Sequence, residues 1–149
     1  MIEIHHQLYI AAPCSKVFVA ISSQIGLSKW WGDTKDIRTD FGALLPFSLA
    51  NGTIQILKII DVKLAEQLVW ECVEGSSEWL GTNIMFQLKK KDSGCVLCFK
   101  HIGWVGSNEA YASANYLWSR RLSYLKEVCE TGKISKNYLE ELKEIKQQL

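Results

Sequence analysis

Long apolar runs are missing from this sequence of 149 residues. No stretch approaches the roughly 18 apolar residues of a membrane-spanning helix, and the N-terminus lacks the pattern of a secretion signal. A strong charge of one sign is missing too, because 17 basic residues face 16 acidic ones and the net charge is +1. This balance gives no general attraction to nucleic acid or to anionic membranes. We therefore expect a cytoplasmic protein with no membrane span and no nucleic-acid partner.

Known catalytic motifs are also missing. The sequence contains no G-x-S-x-G, no glycine-rich phosphate loop and no H-E-x-x-H, so an enzyme is the less favoured interpretation and no cofactor is expected. The five cysteines are irregularly spaced and odd in number, which fits a reducing compartment. Cys95 and Cys98 have the C-x-x-C spacing, but positions three apart on a strand point to opposite faces. We therefore predict no metal or redox site at this pair.

A long amphipathic helix is the most informative feature that is present. Between residues 107 and 133 the apolar positions recur in helical steps of three or four; they are Tyr111, Ala114, Trp118, Leu122, Leu125 and Cys129. A helix of this length extends about 39 Å, close to the roughly 36 Å of an 11-residue strand. It can therefore lie along a whole antiparallel sheet. Arg120 and Arg121 are predicted to lie on its solvent-exposed face.

The preceding residues alternate between strand and helix patterns. Residues 2–10 predict a first strand, and 13–22 and 27–31 predict two short helices. Further strands are predicted over 36–39, 43–49, 53–64, 67–73, 78–90 and 95–103. Their links are short, so we expect antiparallel neighbours, and Asn51-Gly52 is the strongest hairpin signal. Pro46 within a predicted strand indicates an edge or a bulge.

A second amphipathic stretch follows the long helix. Residues 135–149 have apolar side chains on one face and lysines and glutamates on the other. A helix this short is not stable alone, so it must pack on something. We predict a main domain over 1–133 and a C-terminal helical extension over 134–149. Packing of the extension on its own domain is favoured, and a dimer contact or a flexible tail stays open.

Five short motifs give the sequence a family resemblance. They are IAAPCSKVFVAI at 10–21, LSKWW at 27–31, GTNIMF at 81–86, LCFKHIGW at 97–104 and WSRRLSYL at 118–125. In this order they resemble the START-like (SRPBCC) superfamily, in the branch homologous to the activator of the heat-shock chaperone ATPase. The resemblance covers about residues 1–130. It implies an α+β helix-grip fold: a curved antiparallel sheet of six to seven strands around the long C-terminal helix, with two short helices after strand one and a ligand cavity.

The sequence offers several large rings and few charges for the space between sheet and helix. The candidate ligand-binding residues are Phe47, Trp70, Trp79, Phe86, Phe99, His101, Tyr111, Asn115 and Trp118. A solid core is the favoured account of these rings themselves, although Ala110, Ala112 and Ala114 slightly favour space near the N-terminal half of the helix. His101 lies on the inward side of a strand end. It could orient a ligand or act as a general base, or it could be structural.

Three functions remain open at this point. The favoured one is noncatalytic binding of a hydrophobic small molecule, either a lipid or an aromatic metabolite, between sheet and helix. The second is protein interaction with a chaperone, which the resemblance implies. The third is a cyclase-like or hydrolytic enzyme that uses His101 and Tyr111. A homodimer stays open as well.

Overall fold

A computed structural model describes residues 2–32, 34, 38–49 and 52–148, with the side chains of 146–148 left out. Its elements in chain order are β1 (Ile2–Ile10), α1 (Cys14–Ser22), α2 (Gln24–Ser28), β2 (Leu44–Ser48), β3 (Ile54–Lys63), β4 (Gln67–Glu74), β5 (Asn83–Lys91), β6 (Gly94–Trp104), α3 (Glu109–Thr131) and α4 (Lys136–Gln148). Within these ranges, six antiparallel strands form one sheet in the order β1-β6-β5-β4-β3-β2. The α+β prediction of a curved antiparallel sheet with one long helix is confirmed.

Three predicted elements differ from the structure. Arg38 and Thr39 are not in a strand, and residues 36 and 37 lie outside the described part of the chain. The second short helix begins at Gln24 rather than 27, because the Ser23 hydroxyl accepts a hydrogen bond from the Gly26 amide and caps the helix there. Strand β5 begins at Asn83 rather than 78, because residues 76–82 form a turn closed by backbone hydrogen bonds.

The β2–β3 hairpin forms where it was predicted. The Leu49 amide donates to the Thr53 carbonyl at 2.8 Å, and the Gly52 amide donates to the Leu49 carbonyl at 3.0 Å. Gly52 has a φ of 86°, which favours glycine. Asn51, the other half of the hairpin signal, lies outside the described residues. Pro46 lies on β2, an edge strand of the sheet, as predicted from the lack of a backbone N–H in proline.

The inward face of the sheet follows the predicted alternation. On β5, residues 84, 86 and 88 are buried, while the residues between them are half-buried or exposed. The register places Ile84 opposite His101 and Phe86 opposite Phe99 on β6. Aromatic side chains from neighbouring strands therefore meet on the face that α3 covers.

Helix α3 begins and ends with well-formed caps. The Asn108 side chain accepts a hydrogen bond from the Tyr111 amide at 3.0 Å, and Gly132 adopts a left-handed φ of 75°. The helix is therefore two residues shorter at each end than the predicted 107–133. Its central ring, Trp118, packs against Phe99 of β6 with ring centroids 4.7 Å apart. This contact packs α3 on the buried face of the sheet.

Candidate functional site

Closely packed rings occupy the region between the sheet and α3. Phe47 is stacked between Trp31, at 4.8 Å between ring centroids, and Trp118, at 5.7 Å. Seven of the predicted site residues are buried here with at most 2% of their surface exposed: Phe47, Trp70, Trp79, Phe86, Phe99, His101 and Trp118. These rings contact one another and form an aromatic core. Ligand binding at these positions stays a prediction.

His101 lies in a chain of hydrogen bonds inside this core. The Trp118 indole N–H donates to His101 Nδ1 at 3.1 Å, and His101 Nε2 lies 2.8 Å from Thr82 Oγ1. Because an indole can only donate, Nδ1 is the acceptor and the proton sits on Nε2, which donates to Thr82. The Thr82 hydroxyl in turn donates to the Trp79 carbonyl at 2.6 Å. The imidazole therefore ties α3 and β6 to the β4–β5 connection.

The protonation state of His101 follows from its burial. No measurable part of its surface is exposed, and desolvation lowers the pKa of its imidazole to about 3. The ring is neutral at physiological pH, and both nitrogens are already engaged. This arrangement is that of a structural histidine, held by side chains.

Tyr111 and Asn115 both contact the first strand, and the Tyr111 ring also packs edge-on against Trp104 of the core, with centroids 5.8 Å apart. The Tyr111 hydroxyl donates to the Glu3 carbonyl at 3.2 Å, and Asn115 Oδ1 lies 2.9 Å from His6 Nε2. Both partners belong to β1, so these two residues attach the helix to the first strand. Of the nine predicted site residues, the exposed Asn115 is therefore set apart from the aromatic core, and Tyr111 lies at its edge.

An open groove runs beside the aromatic core. It lies between the N-terminal half of α3 and the β2–β3 and β4–β5 connections, and it has a volume of about 530 Å³. We call it the α3 groove; its lining includes Leu49, Trp79, Ala110, Ser113, Ala114, Leu117 and Arg120. The small side chains of Ala110 and Ala114 leave room here, and Trp79 links the groove to the core. A volume of this size is typical of small-molecule sites.

The charges in the α3 groove are separated along the helix. Glu109 lies at the first turn of α3 together with Glu78 from the β4–β5 connection, and Arg120 lies eleven residues further along. At 1.5 Å per residue this separation is roughly 16 Å. The groove therefore has an acidic end, a largely apolar middle and a basic end.

Arg121 differs from the sequence prediction and is an important residue that the sequence did not reveal. Its side chain is 2% exposed rather than on the solvent face, and its Nη1 donates to the carbonyls of Trp31 at 2.8 Å and Trp30 at 3.3 Å. These two carbonyls and the Glu141 carboxylate offset part of the cost of burying the charge. The helical period alone gives no sign of this, since it predicts one apolar face and α3 has a second covered side.

Helix α4 covers this second side of α3. The Tyr138 side chain is fully buried and its hydroxyl donates to the Ser28 carbonyl at 2.7 Å. Glu141 Oε1 accepts a hydrogen bond from the Tyr124 hydroxyl at 2.6 Å. Glu141 also pairs with Arg120 at 3.2 Å and with Arg121 at 3.5 Å. The extension thus packs on its own chain, on the side of α3 next to the basic end of the groove.

The cysteines do not form a C-x-x-C site. Cys95 is buried and its sulfur lies 2.7 Å from that of Cys14, whereas the Cys98 sulfur is 3.3 Å from His5 Nε2 on the opposite face. In the part of the chain that the structure describes, no three His, Cys, Asp or Glu side chains are grouped to hold a metal ion. Among the same residues, no helix combines the length and the apolar character needed to cross a membrane.

Comparison with known proteins identifies solved structures with the same architecture. No family model and no curated protein matches the chain. Among solved structures, the Aha1 dimer from Colwellia psychrerythraea is 29% identical with a TM-score of 0.79, covering 89% of this chain and 99% of that one. The chain therefore has an Aha1-like, START-like fold.

More distant structures share the same architecture. Protein MLL2253 from Mesorhizobium loti is 16% identical with a TM-score of 0.72, covering 85% of this chain and 96% of that one. CalU16 from Micromonospora echinospora is 15% identical with a TM-score of 0.70, covering 96% and 83% respectively. At these identities the likeness shows the fold alone, and one fold carries many functions. The site must be argued from this chain's own residues.

A second groove lies on the outer side of this Aha1-like fold. It is bounded by α1, α2 and the end of α3 and has a volume of about 560 Å³. We call it the α1–α2 groove; its lining includes Lys16, Val19, Ile25, Lys29 and Val128. Val19 and Ile25 are 59% and 71% exposed, which is high for apolar side chains. The apolar surface of Val19 and Ile25 is therefore flanked by the positive charges of Lys16 and Lys29.

Proposed function

We propose that this protein binds a small hydrophobic molecule, without catalysis, in the α3 groove. The observation that carries the proposal is the position of the groove beside a filled aromatic core. Because the rings already pack against one another, an occupant has room beside the core rather than within it, along a groove wall where Leu49 and Leu117 are half-buried and Trp79 lies beneath. Polar groups at both ends could fix the orientation of an apolar ligand.

Blocking the groove tests this proposal. Ligands that copurify with the protein would be identified by native mass spectrometry, and their contact residues mapped by NMR chemical-shift changes. Ser113 is exposed and lines the groove, so Ser113→Trp should fill it and weaken binding at least roughly tenfold. Ser123→Trp, at an exposed position further along α3, is the matched control. Equal affinity in both variants, or shifts confined to residues outside the groove, would contradict the proposal.

Catalysis by His101 and Tyr111 has less support. The His101 imidazole is fully buried with both nitrogens engaged, and the Tyr111 hydroxyl donates to a β1 carbonyl. A substrate would have to break these contacts before meeting either group. These contacts favour binding over the cyclase-like or hydrolytic alternative.

Docking of a protein partner is the second candidate function. The specific observation in its favour is the α1–α2 groove, where exposed Val19 and Ile25 lie beside Lys16 and Lys29. The likeness to an Aha1 structure adds weight to a heat-shock chaperone as that partner, and two lysines favour an acidic surface on it. Val19→Asp with Ile25→Asp should abolish chaperone binding measured by calorimetry, while Val62→Asp, on an exposed apolar residue of β3, should not.

The domain boundaries, the location, the partners and the oligomeric state are further proposals. We propose residues 1–133 as the helix-grip domain and 134–149 as its extension, with a cytoplasmic location and no nucleic-acid partner. A homodimer is a further proposal, because the Colwellia psychrerythraea structure is that of a dimer. Light scattering after size-exclusion chromatography would give the molar mass directly. A mass of 16.9 kDa at high concentration would contradict the dimer.

A further inference from the structure

The basic end of the α3 groove has an excess of positive charge. Arg120 and Arg121 share one carboxylate, that of Glu141, at 3.2 Å and 3.5 Å. Both contacts are ion pairs without hydrogen-bond alignment, because Arg120 Nε, Arg121 Nε and Glu141 Oε2 are buried with no hydrogen-bond partner. The best-aligned bond of Glu141 is to the Tyr124 hydroxyl, at 2.6 Å. Two guanidiniums thus face a single carboxylate, and the best-aligned hydrogen bond of that carboxylate is to Tyr124.

The two arginines are placed differently toward the groove. Arg121 is buried and donates to two backbone carbonyls, so its position is fixed by the protein. Arg120 lines the groove, is 35% exposed, and lies over the Tyr116 ring at 4.5 Å from its centroid. A stacked, partly exposed guanidinium is pre-organised to receive a planar anion in two parallel hydrogen bonds. Arg120 is therefore the group through which a ligand can meet the excess charge.

The opposite end of the groove sets the direction of such a ligand. Glu78 and Glu109 lie there, and their carboxylates would repel an anionic group. The apolar middle, with Leu49, Trp79 and Leu117, suits a hydrocarbon or aromatic body. A molecule with one acidic group fits this distribution in one orientation, with its acid at Arg120 and its apolar body along α3.

Resting on the proposed function above, we propose that the ligand of the α3 groove is an apolar monocarboxylic acid whose carboxylate pairs with Arg120. Glu141 remains on Arg121 and Tyr124 when the acid binds. The acid then supplies the second carboxylate of the cluster, so that each guanidinium faces one negative charge.

Matched acids and amides test the ligand class. Octanoate and 4-phenylbutanoate are compared with octanamide and 4-phenylbutanamide, which have the same apolar bodies without the charge. Affinity and location are measured together by NMR titration of the full chain. We expect each acid to bind the groove roughly tenfold more tightly than its amide, since hydrogen bonds to charged groups are the stronger ones.

Variants of Arg120 assign the preference to that residue. Arg120→Gln should reduce the acid-to-amide ratio to about one, and Arg120→Lys should restore part of it. Lys133→Gln, at an exposed position beyond the end of α3, removes the same charge outside the groove and should leave the ratio unchanged. Thermal unfolding of each variant checks that α4 stays packed when its Arg120–Glu141 pair is removed.

The outcomes separate this inference from the proposed function. Equal affinity for acids and amides in the groove would overturn the acid preference and leave groove binding intact. An acid preference that survives in Arg120→Gln would overturn the role of Arg120. If neither acids nor amides shift groove residues while other apolar probes do, the monocarboxylate is wrong. If no apolar probe of any kind shifts them, the groove proposal falls as well.

Discussion

Single buried polar groups hold this protein's core in register. Trp118, His101, Thr82 and the Trp79 carbonyl form one directed series of hydrogen bonds, in which each donor has an acceptor. A buried polar group is favourable only when its partners are present, so each member depends on its neighbours. Replacing one of these residues should therefore cost more stability than its lost buried surface alone, because a partner is left without a hydrogen bond.

The pH dependence of stability should report His101. Burial lowers its pKa to about 3, against an ordinary value of 6.5. Between these pH values the unfolded chain takes up a proton at His101 and the folded chain does not. The free energy of unfolding should therefore fall as the pH decreases below 6.5, by up to about 1.4 kcal/mol per pH unit.

Chemical denaturation at several pH values would measure this effect. His101→Gln should lack this part of the slope, while His5→Gln, at an exposed position on β1, should retain it. Identical slopes in the wild type and in His101→Gln would show that folding does not lower the pKa of His101.

At the scale of elements, helix α4 depends on its contacts with the rest of the chain. Alone, it is too short to be stable, and its packing depends on the fully buried Tyr138 ring and on Glu141. The contact reaches two separate elements, because Tyr138 bonds to Ser28 of α2 while Glu141 bonds to Tyr124 of α3. The extension therefore contacts both α2 and α3 and links the two helices.

Loss of the Tyr138 ring should be strongly destabilising. Tyr138→Ala removes a large buried side chain and its hydrogen bond to Ser28, which is expected to lower the free energy of unfolding by about 3–5 kcal/mol. Leu139→Ala, at the next position and 44% exposed, should change it by about 0.5 kcal/mol or less. Urea denaturation of both variants compares the two values. A small effect of Tyr138→Ala would mean that α4 contributes little to the fold.

Elements were also where sequence reasoning succeeded most. Alternation on β5 and the helical steps of α3 predicted the residues that pack between sheet and helix, because one hydrophobic stripe packs against one partner. Arg121 could not be predicted in this way, since its burial depends on α4 and on two carbonyls that are distant in sequence. The same limit applies to the hydrogen bonds of Tyr111 and Asn115, since their partners on β1 are distant in sequence.

At the scale of the whole molecule, solvent access separates the five cysteines into two classes. Cys72, Cys95 and Cys129 are buried, and desolvation raises their thiol pKa values to about 11, 12 and 11. Cys14 and Cys98 retain partial exposure. Because the thiolate is the reactive form, the buried group should become reactive only when the protein unfolds.

Alkylation followed by mass spectrometry would test this division. In native protein at neutral pH, iodoacetamide should modify Cys14 and Cys98 first. Modification of Cys72, Cys95 and Cys129 should follow later, at one common rate that increases with denaturant. Labelling of Cys72 as fast as Cys98 would indicate local opening of β4, contrary to the closed core described above.

The aromatic core has one more consequence. All six tryptophans of the chain are at most 2% exposed, and ring contacts join them into one cluster. Light absorbed by any of these indoles can pass to its neighbours, so the protein's ultraviolet emission arises from a single dry compartment. Trp79 borders the α3 groove, and through it an occupant of the groove can alter the optical signal of the whole cluster.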